Sequence, residues 1–123
     1  MKRLSLATLL AALALSAHAT GSQRLTIRVS PAMAFAPAVL TVRTTIEPSD
    51  DNRALSIEID SASYRRISEI PLDGSRAPRS SVFEAKGVPP GLYEVRAHLT
   101  GPSGPLASTM QLVRVEPAAG HSR

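Results

Sequence analysis

From Leu25 onward the chain alternates apolar and polar positions with a period of two, and turn residues interrupt it at short intervals. Such a period puts successive side chains on opposite faces of a strand, so it predicts strands buried on one side. Leu25, Ile27 and Val29 alternate with Thr26 and Arg28 until Ser30-Pro31 stops the run. Leu40, Val42, Thr44 and Ile46 alternate with Thr41, Arg43, Thr45 and Glu47, and Leu55, Ile57 and Ile59 with Ser56, Glu58 and Asp60. A weaker strand is predicted from Tyr64 to Ile70 and a short one from Ser81 to Ala85. Tyr93, Val95, Ala97 and Leu99 form the next, and Met110 to Val115 the last. In that last strand Met110 and Leu112 share one phase and Val113 and Val115 the other, which predicts a bulge near Leu112-Val113. The apolar stretch Ala34 to Ala38, broken by Pro37, falls in a connection.

Pro48 to Asn52, Pro71 to Ser75, Gly87 to Gly91 and Gly101 to Pro105 are turns by composition. No helical period appears after residue 20. Seven strands, each with a wet and a dry face, require two antiparallel sheets packed face to face. The expected fold is therefore all-β, a seven-stranded antiparallel sandwich with Leu40, Val42, Ile57, Tyr93 and Val95 in its interior.

The N-terminus follows a different pattern. Lys2 and Arg3 precede an uncharged apolar run, Leu4 to Leu15, and Ser16-Ala17-His18-Ala19 follows with alanine at both small-residue positions. This is the layout of a signal peptide helix cleaved after Ala19. The apolar run spans roughly 18 Å as helix, short of the ~30 Å hydrocarbon core of a bilayer. The expected organisation is a signal peptide over 1–19, one domain over 20–117 and a disordered tail over 118–123, with a periplasmic or secreted destination. No stable membrane insertion is expected after cleavage.

Cleavage also changes the charge. Lys2 and Arg3 leave with the leader, so twelve of the fourteen basic residues remain against ten acidic ones. Lys86 is the only remaining lysine, and no basic run exceeds Arg65-Arg66. A nucleic-acid partner would need a dense stripe or patch, so none is expected. The chain has no cysteine, which excludes disulfides, thiolate metal sites and a lipidated cysteine anchor.

The segment Pro89-Pro90-Gly91-Leu92-Tyr93-Glu94-Val95 resembles the sixth strand of immunoglobulin-like and fibronectin type III-like bacterial modules. The resemblance implies a structural tyrosine corner made by Gly91 and Tyr93, the hydroxyl bonding back to the preceding corner. It implies that Val95 stands where the family has a core cysteine, and that Ile57 replaces its core tryptophan. The family's strand order would gather loops 47–53, 71–80 and 100–106 at one end and loops 30–38, 60–64 and 86–91 at the other, with the termini at opposite ends.

Candidate chemistry is sparse. Glu47, Asp50, Asp51 and Asn52, with Asp73, are oxygen donors that suit calcium, but the spacing of a calcium loop is missing, and Asp and Asn serve turns for local reasons. His98 is the only histidine within the strands and is expected on an outer face. No nucleophile elbow and no glycine-rich phosphate loop appears. Tyr64 and Phe35 are the only aromatics left for a sugar platform once Tyr93 and Phe83 are assigned to the core. Arg65, Arg66, Arg76 and Arg79 read as solvated edge and loop charge. The expectation is an exported, non-catalytic interaction or accessory module without a cofactor or metal, whose partner is another envelope or extracellular protein. Asp50, Asp51, Asp73, Arg76 and Arg79 are its possible partner-facing loop residues. The alternative is a small ligand- or carbohydrate-binding domain.

Overall fold

The computed structural model describes residues 24–118. The expected signal peptide over 1–19, with its expected cleavage site, and residues 119–123 of the expected tail lie outside the described residues. Eight strands follow in order: β1 Leu25–Ser30, β2 Met33–Phe35, β3 Ala38–Ile46, β4 Ala54–Asp60, β5 Arg65–Pro71, β6 Ser80–Val88, β7 Gly91–Gly101 and β8 Gly104–Glu116. A single 3₁₀ turn, Gly74–Arg76, sits between β5 and β6. The described chain is all-β, in two sheets ordered β1-β3-β6 and β2-β8-β7-β4-β5.

The alternation translates directly into burial. In β3 the pattern Ala38, Leu40, Val42, Thr44, Ile46 is buried at every second position. Leu40, Val42, Ile57, Tyr93 and Val95 belong to one cluster and are fully buried. A second cluster, built on Leu25, Ile46, Leu55 and Leu99, continues the interior toward the loops after β3. Each buried Leu, Ile or Val contributes about 1.5–3 kcal/mol relative to exposure. The one threonine in this interior, Thr44, donates its hydroxyl to the Ser81 carbonyl at 3.4 Å, which spares it the cost of an unpaired buried polar group.

Two expectations need correction. The strand count is eight: Met33–Phe35 pairs parallel with β8 through Met33↔Arg114, Ala34↔Val115 and Phe35↔Glu116. A three-residue strand between Pro31 and Pro37 has too few positions to show a period, and a parallel partner far along the chain leaves no turn signal. The bulge is not at Leu112-Val113. Pairing of β7 with β8 is regular from Gly91↔Val115 to Leu99↔Ala107 and shifts at Thr100↔Pro105, leaving Leu106 as the extra residue. The change of phase at Leu112-Val113 arises because Met110 and Leu112 are apolar and point outward. A further irregularity lies in the β3–β6 pairing between Ala38 and Leu40, and there Gly87 adopts φ 67°, a conformation open to glycine with little strain.

The ends are organised by backbone hydrogen bonds. At one end Gly74 N donates to Asn52 O, Leu72 N to Arg53 O, Arg53 N to Thr100 O and Ile46 N to Arg79 O, which ties loops 47–53, 71–80 and 100–106 together. Arg24 O accepts from Glu47 N at that end, while Glu116 O accepts from Ala36 N at the other, so the described chain enters and leaves at opposite ends.

The two sides differ as well. On the β1 side the Gln111 amide of β8 takes the place of a strand. Its Oε1 accepts from Val29 N at 2.9 Å and its Nε2 donates to Val29 O at 3.1 Å. These bonds satisfy backbone groups that β1, an edge strand, would otherwise expose. On the opposite side β5 and β6 are the free edges of their sheets. There Arg66 of β5 lies over the Phe83 ring of β6, 5.5 Å from its centroid, a cation–π contact that spans the gap between the sheets.

Candidate interaction faces

Register fixes which side chains stand together on each outer face. On the five-stranded sheet one row across β5, β4, β7 and β8 is Ile67, Glu58, Arg96 and Met110, and the next is Arg65, Asp60, Glu94 and Leu112. Beyond it Leu92, Arg114 and Met33 form a third row, and Glu116 stands beside Phe35. The face is thus divided. Its β4–β7 half carries charge, and its β8 side carries Met110, Leu112, Leu92, Met33 and Phe35. These are large apolar residues left in solvent, with Leu92 61% and Leu112 57% exposed. Depressions of about 330 Å³ and 460 Å³ both border Leu92 and Arg114, giving this strip relief.

The charges beside the strip neutralise one another. Arg65 reaches Glu58 at 2.8 Å; Arg96 lies 3.9 Å from Glu58 and 3.8 Å from Asp60, and also donates to Glu94; Arg114 lies 3.5 Å from Glu116. Every arginine on this outer face has a carboxylate partner. With Glu69 included, five carboxylates meet three guanidiniums, so the face is slightly acidic. His98 stands on it between Ser56 and Ser108.

The resemblance to known structures is confined to the fold. The chain is similar to superoxide reductase (neelaredoxin) from Ignicoccus hospitalis, at 13% identity over 77% of this chain and 82% of that one, with a TM-score of 0.57. It is equally similar to the sulfur carrier protein SoxY from Chlorobium limicola f thiosulfatophilum, at 14% identity over 76% of this chain and 80% of that one, TM-score 0.57. No protein-family model and no curated protein matches this chain. At such identities a shared arrangement of strands says nothing of shared chemistry. Among the described residues no group of three or more His, Asp or Glu side chains is placed to hold a metal ion.

The loop end brings together part of the expected set. Asp50, Asp73 and Arg76 line a depression of about 290 Å³ with Arg53. Asp51 is turned toward the β7–β8 connection, where its carbonyl oxygen would lie 2.9 Å from a Cβ at Gly101. Arg79 is exposed one residue before β6. Arg53 was not foreseen: its guanidinium donates to the carbonyls of Asp50 and Asn52. A side-chain cation therefore already occupies the carbonyl side of the acidic loop. Asn52 is fully buried, its Nδ2 donating to Glu47 O at 3.0 Å, so it braces the loop from inside.

The segment that carries the family resemblance has a simple geometry. Tyr93 is fully buried and its hydroxyl donates to Pro89 O at 2.7 Å. A Cβ at Gly91 would stand 3.2 Å from the Tyr93 ring, a tight contact that glycine avoids and that any other residue would relieve only by moving the ring a few tenths of an ångström. Burial raises the Tyr93 pKa above its ordinary 10.0. Tyr64 meets Tyr93 edge-on, with centroids 5.9 Å apart and planes at 81°, and so is committed to the margin of the core. Phe35 points outward from β2.

Proposed function

We propose that this chain is an exported, non-catalytic interaction module of immunoglobulin-like architecture, and that it docks on another envelope or extracellular protein. The docking surface is the β8 side of the five-stranded sheet's outer face. The observation that carries this reading is the contiguous strip of Met110, Leu112, Leu92, Met33 and Phe35. Isolated exposed apolar residues are ordinary, but a contiguous patch bordered by charge marks an interaction site. The strip's slightly acidic flank selects a partner whose own apolar patch is bordered by basic residues.

A protein that recognised sugars by stacking would use exposed aromatic rings. Tyr64 is turned against Tyr93, and Phe35 belongs to the apolar strip. The experiment is capture from envelope extract by the purified protein and by Leu92→Asp/Leu112→Asp, with the oligomeric state measured in parallel. A single stoichiometric partner that wild type holds and the variant loses supports the proposal. Equal capture by both proteins, or a wild-type homodimer that the variant dissolves, overturns it.

A further inference from the structure

The outer face of the three-stranded sheet has the opposite character. Its rows across β1, β3 and β6 are Thr26, Thr45 and Ser80; then Arg28, Arg43 and Val82; then Ser30, Thr41 and Glu84. Arg28 and Arg43 are direct cross-strand neighbours, both exposed. Like charges directly opposite each other in an antiparallel pair are destabilising. On the outer face of the five-stranded sheet, by contrast, Arg65, Arg96 and Arg114 each sit beside a carboxylate. Among the described residues these two have no carboxylate within salt-bridge distance, and Glu84, the acid on this face, is 3.8 Å from Lys86.

We infer that this face, centred on Arg28 and Arg43, binds an anionic polysaccharide. Two planar guanidiniums on cross-strand neighbours offer donors that suit carboxylate or sulfate oxygens, and an anion bridging them would remove their mutual repulsion. The hydroxyls of Thr26, Thr45, Ser80, Ser30 and Thr41 flank the pair on both sides along the strands. They match a ligand that carries hydroxyl groups between its charges. The face has no aromatic ring, so recognition rests on charge and hydroxyl contacts. Its exposed apolar side chains are the valines Val39 and Val82, short of the wedge of large apolar residues that a bilayer surface would favour. This inference stands apart from the docking strip, which lies on the other sheet.

The test is titration of the purified protein with dextran sulfate and with polygalacturonate, with uncharged dextran and vesicles containing phosphatidylglycerol as the comparison probes. Binding to both anionic polymers, weakened by salt and absent for dextran, is expected. Arg28→Ser/Arg43→Ser should weaken it by about tenfold or more. Arg66→Ser/Arg76→Ser removes as many exposed arginines elsewhere and should change it by less than about twofold. Both substituted face positions are exposed, and thermal unfolding of each variant verifies its fold. Should the serine variant not fold, Arg28→Lys/Arg43→Lys keeps the charge but loses the planar fork and should still bind less tightly than wild type. Absence of binding to either polymer, equal losses in the two arginine variants, or vesicle binding as strong as polymer binding would overturn the inference.

Discussion

The outer faces of the two sheets share one interior and one kind of alternation, yet they treat arginine in opposite ways. On the five-stranded face Arg96 sits among Glu58, Asp60 and Glu94, and Arg65 and Arg114 have carboxylates of their own. On the three-stranded face Arg28 and Arg43 oppose each other across the β1–β3 ladder. The first face has settled its charges internally and leaves an apolar strip exposed to solvent. The second leaves charge unsettled in a field of hydroxyls. Arginine content alone would not separate these cases, because the difference lies in which residues the register sets side by side.

The most disruptive way to probe the comparison is to remove what both faces share. Tyr93→Ala deletes a fully buried ring and should cost about 3–5 kcal/mol in urea unfolding, degrading both faces together. Tyr93→Phe, which orphans the Pro89 carbonyl only, should cost about 1–2 kcal/mol. Gln111→Ala strips the partners from Val29 N and O and should cost about 1–3 kcal/mol. It should loosen the β1 edge specifically, seen as faster amide exchange at Val29 than at Val42.

Smaller substitutions set the faces against each other. Arg96→Gln removes the cation shared by three carboxylates and should destabilise by up to about 1 kcal/mol at low salt. Arg28→Glu turns a repulsive cross-strand pair into an attractive one and should stabilise by about 0.2–1 kcal/mol. Both differences should shrink in high salt. If the two substitutions shift the unfolding midpoint in the same direction, the electrostatic contrast is wrong. The pH dependence attributable to Tyr93 is confined to alkaline solution. Its folded pKa lies above the unfolded value, so the folded chain keeps a proton that the unfolded chain releases. That contribution is fully present below about pH 10 and is lost as pH rises through the folded pKa. It should disappear in Tyr93→Phe, as read from unfolding midpoints across the alkaline range.

Much of this architecture is written in the period-two pattern. β3 and β4 and the paired part of β7 follow it closely, because each buries one face and Leu, Ile and Val mark that face unambiguously. β2 escaped because its pairing is parallel and its three residues show no period. β8 misled because Met110 and Leu112 are apolar yet face solvent, so hydrophobicity pointed to the wrong side. That conflict was a trace of the exposed apolar strip along the chain, and it suggested a bulge instead. The Arg28–Arg43 juxtaposition left no trace, since a single strand's alternation says which residues point outward but not what stands beside them. The Arg53 clamp on the acidic loop was equally silent, since it depends on loop carbonyls rather than on side-chain pattern.

Leu112 and Val82 offer a matched pair for a direct trial, being 57% and 54% exposed on opposite faces. A photo-crosslinking residue would be placed at each position in turn and activated in the presence of envelope extract. Docking through the apolar strip predicts one discrete protein adduct through position 112 and none through position 82. Discrete protein adducts of equal yield at both positions, or at 82 alone, would contradict it.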